Sequence, residues 1–328
     1  MFSRIGNYVK NSAENIPIWT NVYGIARSLM AGTLALVLII NPAELIFIPA
    51  QGISEFPQCT GNISLFCFGS NDYLTLNIIR WIVVALLVVI ASGWRPRYTG
   101  LLHFYIAYSY HEAAMVIDGG DQVHLVLSLL LIPITLCDPR KWHWKTFQPI
   151  KITNNYIYLY MISLTVIYLI RVQVSIIYLN AAYAKVTKEY WINGTAIYYF
   201  LNDYMLGLND TLSMVLTPIL ETQFIVVLTW GTIVLEFLLF AALIAPKYTW
   251  KYFLIPGLIL HGSIALAIGL YSFSTIMFAA LIVFLRPFEQ KFQFSMSTIR
   301  QNINNISLFR KNNKKFLSSE VNQIKVEK

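Results

Sequence analysis

The sequence predicts an all-α fold, a polytopic membrane helical bundle of about eight spans with interfacial helices in one outer loop. Three observations carry this. The 328 residues are 57% hydrophobic and 12% charged, far from the balance of a soluble domain. The apolar residues fall in blocks of about 17 to 25 between short polar segments, the length a helix needs to cross a hydrocarbon core of about 30 Å. The two-residue alternation of a porin-like barrel is absent, so the backbone must satisfy itself within helices.

The elements follow in order. A lead, residues 1–21, carries Arg4 and Lys10 and precedes the first block, 22–40. That block has no small-residue cleavage pattern before Asn41-Pro42 and is expected to stay as an anchor. An outer loop, 41–73, has no Lys or Arg. Blocks at 74–92, 100–117, 123–136, 156–178, 222–244, 253–270 and 273–285 complete the bundle, 22–285. The stretch 253–285 would be about 50 Å long as one helix, so it is divided, with a tight hairpin expected at Gly269. A basic tail, 286–328, closes the chain; it is read as solvated or lipid-touching, a partner-binding segment being the rival reading.

The distribution of Lys and Arg orients the bundle. Arg95 and Arg97, then Arg140, Lys141, Lys145 and Lys151, then Lys247 and Lys251, and nine basic residues of the tail alternate with segments poor in them, apart from Lys185 and Lys188. This places both termini in the cytoplasm of a multi-pass cell-membrane protein. The net charge of +8 is accounted for by orientation and anionic lipid, with no nucleic acid as partner.

The first outer loop holds Cys59 and Cys67 in FPQCTGNISLFCFGSND. Gly and Asn between them permit a turn, so the thiols can meet as a structural disulfide. A redox-active pair and unpaired thiols are the alternatives, although the spacing is not CxxC. Cys137 reads as an ordinary residue at a membrane end. Asn62-Ile63-Ser64 and Asn193-Gly194-Thr195 match the glycosylation triplet, a weak signal.

The second outer segment, 179–221, is too apolar and aromatic for a free loop. One or two interfacial or re-entrant helices are expected to cap a cavity open to the outer side. Gly194 permits a tight turn and Thr195 can cap the helix that follows.

Ionisable groups at membrane depth mark candidate sites. Arg171, with Gln173 close behind, lies in the fifth block, and Glu236 in the sixth is a partner in kind, forming a structural lock or a site wall. His103, His111, Glu112, Asp118, Asp121 and His124 crowd the third and fourth blocks. Their spacing is no metal-ligand signature, so no metal is assigned; Gly119-Gly120 is expected to gather the acids and His124 into a polar cluster near the cavity mouth. His261, among small apolar residues, is either hydrogen-bonded filler or a proton carrier and orienting donor. Lys185, about seven residues past the apolar run, can act as a base, hold an anionic headgroup or peptide carboxylate, or snorkel at the membrane edge. Trp191 is expected to shape the cap above it.

The patterns YAKVTKEYWINGTAIYYFL, WGTIVLEFLLF and LHGSIALAIGLYSFSTIMFAALIVFL resemble the HTTM family, the membrane domain shared with vitamin K-dependent gamma-carboxylases. More narrowly, TNVYGIARSLMAGTLALVL, DGGDQVHLVLSLLLIPITLCDP and the paired-cysteine loop look like the sporulation-delaying protein B branch of bacterial membrane proteins. The resemblance covers residues 15 to 290.

In the carboxylases a lysine before a Trp-x-x-Gly motif is the base that deprotonates reduced vitamin K. Lys185 is the nearest match, six residues before Trp191, with Lys188 three before it. His261 matches the histidine heading the later block and would assist a quinone oxygen. The resemblance therefore implies a quinone or lipid as a candidate cofactor, with Lys185 and His261 as catalytic candidates. The carboxylases carry a large lumenal domain beyond the bundle. Here the 43 residues after Leu285 are read as cytoplasmic, which argues against protein carboxylation.

The narrower resemblance implies a component of a toxin-production system. Such a protein is needed, with a small partner protein, to mature a secreted antimicrobial, cannibalism-type peptide toxin from its precursor; a transporter or immunity protein is the non-enzymatic alternative. No Ser-His-Asp or HExxH pattern is present, so another protein is expected to supply any proteolytic cut.

Overall fold

A computed structural model describes residues 10–49, 56–57, 59, 61, 63–69, 71–147, 153–204, 206–208 and 210–293. Arg4, Asn62, Lys151 and the tail's basic residues from Arg300 onward lie outside them. Among the described residues there is no β-sheet, only an isolated bridge between Trp94 and Trp142. Besides helical residues 10–15, the α-helices among the described residues are α1 (Asn21–Ile40), α2 (Ala43–Ile46), α3 (Tyr73–Ala91), α4 (Pro96–Ala113), α5 (Gly119–Leu136), α6 (Asn154–Val186), α7 (Glu189–Ile192), α8 (Ala196–Leu201), α9 (Asp210–Leu220), α10 (Phe224–Ala241), α11 (Trp250–Ile268) and α12 (Tyr271–Leu285). One compact unit ends at Gln290.

Among the described residues, six helical segments are long and apolar enough to cross a membrane: α1, α3, α5, α6, α10 and Lys247–Ile268, which contains α11. The chain is a polytopic membrane bundle. The other two expected blocks are also helices, α4 and α12, but α4 is too polar and α12 too short to qualify by the same measure. The shortness of α12 has a physical reason. Its Ser274, Ile276, Met277, Ala279, Ala280, Leu281, Phe284 and Leu285 are all buried, and it packs against α1, α5, α6 and α11. A helix enclosed by protein on several sides need not match the lipid thickness.

Local chemistry sets the helix ends. Thr20, Asp72 and Thr153 accept from the first-turn amides of α1, α3 and α6, satisfying donors that the helix itself leaves free. At α5, Asp118 and Asp121 form a reciprocal capping box. Gly269, at φ +76°, ends α11, and α12 starts two residues later, the hairpin expected from the sequence.

The fifth block differs from expectation. Instead of ending near residue 178, α6 continues to Val186, 33 residues or about 50 Å. The residues after Tyr178, LNAAYAKV, are mostly good helix formers, and the helix runs on until Thr187. The segment that follows it is correspondingly shorter, and Lys185 belongs to the last turn of α6.

Small residues let the helices approach. A Cβ on Gly257 of α11 would meet Leu281 of α12 at 3.0 Å, and one on Gly120 would meet the Phe273 backbone at 2.8 Å. Such contacts matter in a membrane, where apolar side chains gain little by leaving lipid for one another. At the start of α1, Arg140 donates to both oxygens of Asp138 and to the carbonyls of Trp19, Thr20, His143 and Lys145. Tyr23 donates to Asp138 as well. Arg140, counted from sequence among the loop cations, is buried and ties the loop after α5 to α1.

Candidate functional site

Helix α6 builds one wall of the site. Arg171, Tyr178 and Lys185 recur every seven residues, close to two helical turns, so they share a face with buried Val174, Ser175 and Ala182. Ser175 Oγ donates to Phe240 O of α10 at 3.1 Å, which fixes the antiparallel register of the two helices. In that register Lys185 Nζ meets Glu236 Oε1 at 2.7 Å.

Glu236 is buried and Lys185 half-buried. The Trp191 ring lies 5.1 Å from the same Nζ, so the amine sits between a carboxylate and an aromatic face, both favourable to a cation. Trp191 reaches there because the chain turns back after α6. Gly194, at φ +77°, closes the turn, and a Cβ there would lie 2.8 Å from Val226 of α10. Trp191, Ala196 and Ile233 form a small apolar cluster over the pair. Thr195 flanks α8 without the side-chain cap expected of it; its hydroxyl donates instead to Tyr190 O at 3.3 Å.

Helix α11 brings His261 to the same face of α6. Its Nε2 lies 3.0 Å from Tyr178 Oη, and its ring meets Phe273 edge-on at 5.5 Å. His261 Nδ1 and Glu236 Oε2 are both buried without a hydrogen-bond partner. One of these is an acceptor, and the other is a donor when Tyr178 donates to Nε2. Together they leave hydrogen-bonding capacity for a polar group beside Lys185.

The remaining candidates are placed elsewhere. Arg171 does not pair with Glu236. Its Nε donates to Phe284 O at 2.8 Å and its guanidinium stacks on Trp250 at 3.5 Å, because it sits two heptads before the residue that Glu236 faces. The expected cluster of acids with His124 does not form either. Asp118 and Asp121 are engaged at the start of α5, with Ser272 donating to Asp118; His111 pairs with Glu112 at 3.3 Å on the surface; His124 meets His103 at 2.8 Å in the interior. Cys59 and Cys67 are joined by a disulfide, and Cys137 is buried and free. Among the described residues no three His, Cys, Asp or Glu gather as a metal site. Tyr178 was missed from sequence, although its seven-residue spacing to Lys185 was legible.

A mostly apolar cavity lies elsewhere in the bundle, lined by Tyr23, Ile134, Ile170, Val283 and Arg286 among others. None of the Lys185 group lines it.

The chain is 45% identical over 284 residues to the uncharacterized protein YitO of Bacillus subtilis strain 168, covering 84% of this chain and 89% of the relative. It is 37% identical over 292 residues to the sporulation-delaying protein SdpB of the same organism, covering 88% of each. No family model matches the chain, the HTTM model included, and no solved structure matches it. An identity of this size over nearly the whole bundle is enough to assign the family: the chain belongs to the family of the sporulation-delaying protein SdpB.

Proposed function

We propose that this protein is a cell-membrane component that works with a small partner protein to mature a secreted antimicrobial peptide from its precursor, and that the Lys185 centre is where the precursor is received. Membership in a family named for delaying sporulation supports a role in such a toxin system. The observation that carries the site is the pair of half-buried Lys185 and buried Glu236 under Trp191, with Glu236 Oε2 and His261 Nδ1 left unpartnered beside it. A structural lock would be expected to satisfy these atoms internally. In this reading α4 and α12 also span, giving eight spans with both termini cytoplasmic by the charge rule. Helices α7, α8 and α9 form the outer cap.

The test is genetic and chemical. In a producing strain lacking this gene, the wild-type chain should restore the mature extracellular peptide, seen by mass spectrometry. Lys185→Met and Glu236→Gln should be present in the membrane yet leave precursor. Normal peptide output from both variants would remove the site, and normal output from the gene deletion would remove the function.

A second reading has its own observation. The Tyr178–His261 hydrogen bond with a free Nδ1 next to Lys185 fits a quinone, whose ring oxygens accept hydrogen bonds. When bound, a quinone supplies two-electron redox chemistry. Lys185 and His261 would hold its oxygens, Phe273 and Trp191 would keep water out, and Glu236 would take up or return a proton at Lys185. Lipid extraction of the purified protein followed by mass spectrometry decides this reading: a quinone retained by wild type and lost in His261→Leu supports it, and none in either sinks it.

A further inference from the structure

Four arginines are buried among the described residues: Arg27, Arg80, Arg140 and Arg171. Three have evident counterparts. Arg80 reaches the carbonyls of Leu38 and Asn41 at the end of α1, Arg140 has Asp138, and Arg171 has Phe284 O and the Trp250 ring. Arg27 differs. It is 0% exposed, its Nη2 donates to Thr99 Oγ1 at 2.6 Å, and its Nε and Nη1 have no partner.

Charge is short there as well as hydrogen bonds. No described carboxylate pairs with Arg27. Asp138 is occupied by Arg140 and Tyr23, and Thr99 passes its own hydrogen to Trp94 O or Arg95 O. The electrostatic neighbours of Arg27 are Arg140, His103 and His143, with His124 behind His103.

The tautomer of His143 follows from its partner. Ser28 Oγ donates to Ala91 O at 2.5 Å and has one hydrogen, so its contact with His143 Nε2 at 3.1 Å needs Nε2 to donate. The buried, unpartnered Nδ1 is then a bare lone pair. Gly24 and Gly93 enclose this ring so closely that a Cβ on either would meet it within 3.0 Å.

We propose that Arg27 holds a small monovalent anion of the halide class, bound by Nε–H and Nη1–H within the first third of α1. A water molecule could accept from Arg27 and donate to His143 Nδ1, but it brings no charge to a buried guanidinium that has a second one, Arg140, among its electrostatic neighbours. Full enclosure restricts the ligand to something small. The ion would be structural, joining α1 to α4 through Thr99, and independent of the Lys185 centre.

The experiment uses the full chain in detergent, exchanged into sodium gluconate. Thermal unfolding is followed while chloride or bromide replaces gluconate at constant ionic strength. Saturable stabilisation by both halides is expected. Thr99→Val, which releases the guanidinium, should weaken the halide affinity several-fold, and Arg27→Met should abolish the response. Equal stability of wild type in chloride and gluconate would mean an ordered water only and would overturn the proposal without recourse to a variant. A halide response unchanged in Thr99→Val, or still present in a folded Arg27→Met, would place the ion elsewhere and overturn it too. Lys247→Met, which removes an exposed ion pair with Glu289, should respond as wild type does; loss of the response there would also place the ion elsewhere.

Discussion

Lys185 and Glu236 are 51 residues apart in sequence and 2.7 Å apart in space, joining the end of α6 to the middle of α10. Removing one partner strands the other where water is scarce, a loss of about 3 kcal/mol when the pair is largely buried. Lys185→Met and Glu236→Gln should each lower the unfolding temperature in detergent. The double variant should be more stable than either single one, because no unpaired charge is left, yet still release no mature peptide. Stability and output recovering together would mean that the pair only holds the helices in place.

Gly194 positions Trp191 over that pair, and two constraints act on it. Its φ of +77° is left-handed, and a Cβ would press on Val226 at 2.8 Å. Gly194→Ala should therefore destabilise the α7–α8 segment by about 1 to 2 kcal/mol. Adding Val226→Ala should relieve the contact and leave the strain, restoring only part of the loss. Limited proteolysis between residues 187 and 204 reads this directly; full restoration would mean that the backbone strain is negligible.

The positions of the helices were legible because apolar blocks and polar breaks follow membrane thickness, and all eight expected blocks coincide with helices. Contacts between them were less so. Arg171 and Lys185 share one face of α6, and both are opposite in charge to Glu236. The choice between them depends on the antiparallel register with α10, fixed by Ser175 and Phe240, for which no sequence pattern stands. Asp138 and Arg140 were hidden for a similar reason. The charge rule counts a loop arginine as facing solvent, and its burial depends on Tyr23, 117 residues away. The acids around Gly119 were over-read: a capping box explains both, and the Asp-x-x-Asp spacing already carried that signal.

The Cys59–Cys67 bond closes a short loop whose Ser64 and Leu65 are fastened to Ser109 of α4 at 2.8 and 3.0 Å. In the chain-entropy view, a ring of this size stabilises by about 2 to 3 kcal/mol. Replacing both cysteines by serine should lower the unfolding temperature by a few degrees and leave α4 anchored through Ser109. If the pair were redox-active instead, the double variant would abolish peptide output while its melting temperature stayed put. Comparing the two readouts in one variant separates a brace from a redox centre.

His143 makes acid stability a test of the α1 junction. Burial, then the neighbouring Arg27 and Arg140 charges, lower its pKa from 6.5 to about 2, so the ring stays neutral in the folded protein while the unfolded chain takes up a proton below about pH 6.5. The unfolded state then binds more protons, and stability falls as pH falls through that range. Between pH 7.5 and pH 5 the loss from this one group is about 2 kcal/mol, since each unit of pH well below the unfolded pKa costs about 1.4 kcal/mol. His143→Gln, which keeps a side-chain donor for Ser28, should be less stable at pH 7.5 and lose less on acidification. Unfolding temperatures of the two proteins from pH 7.5 to pH 5 give the comparison; parallel curves would assign the acid sensitivity to other groups.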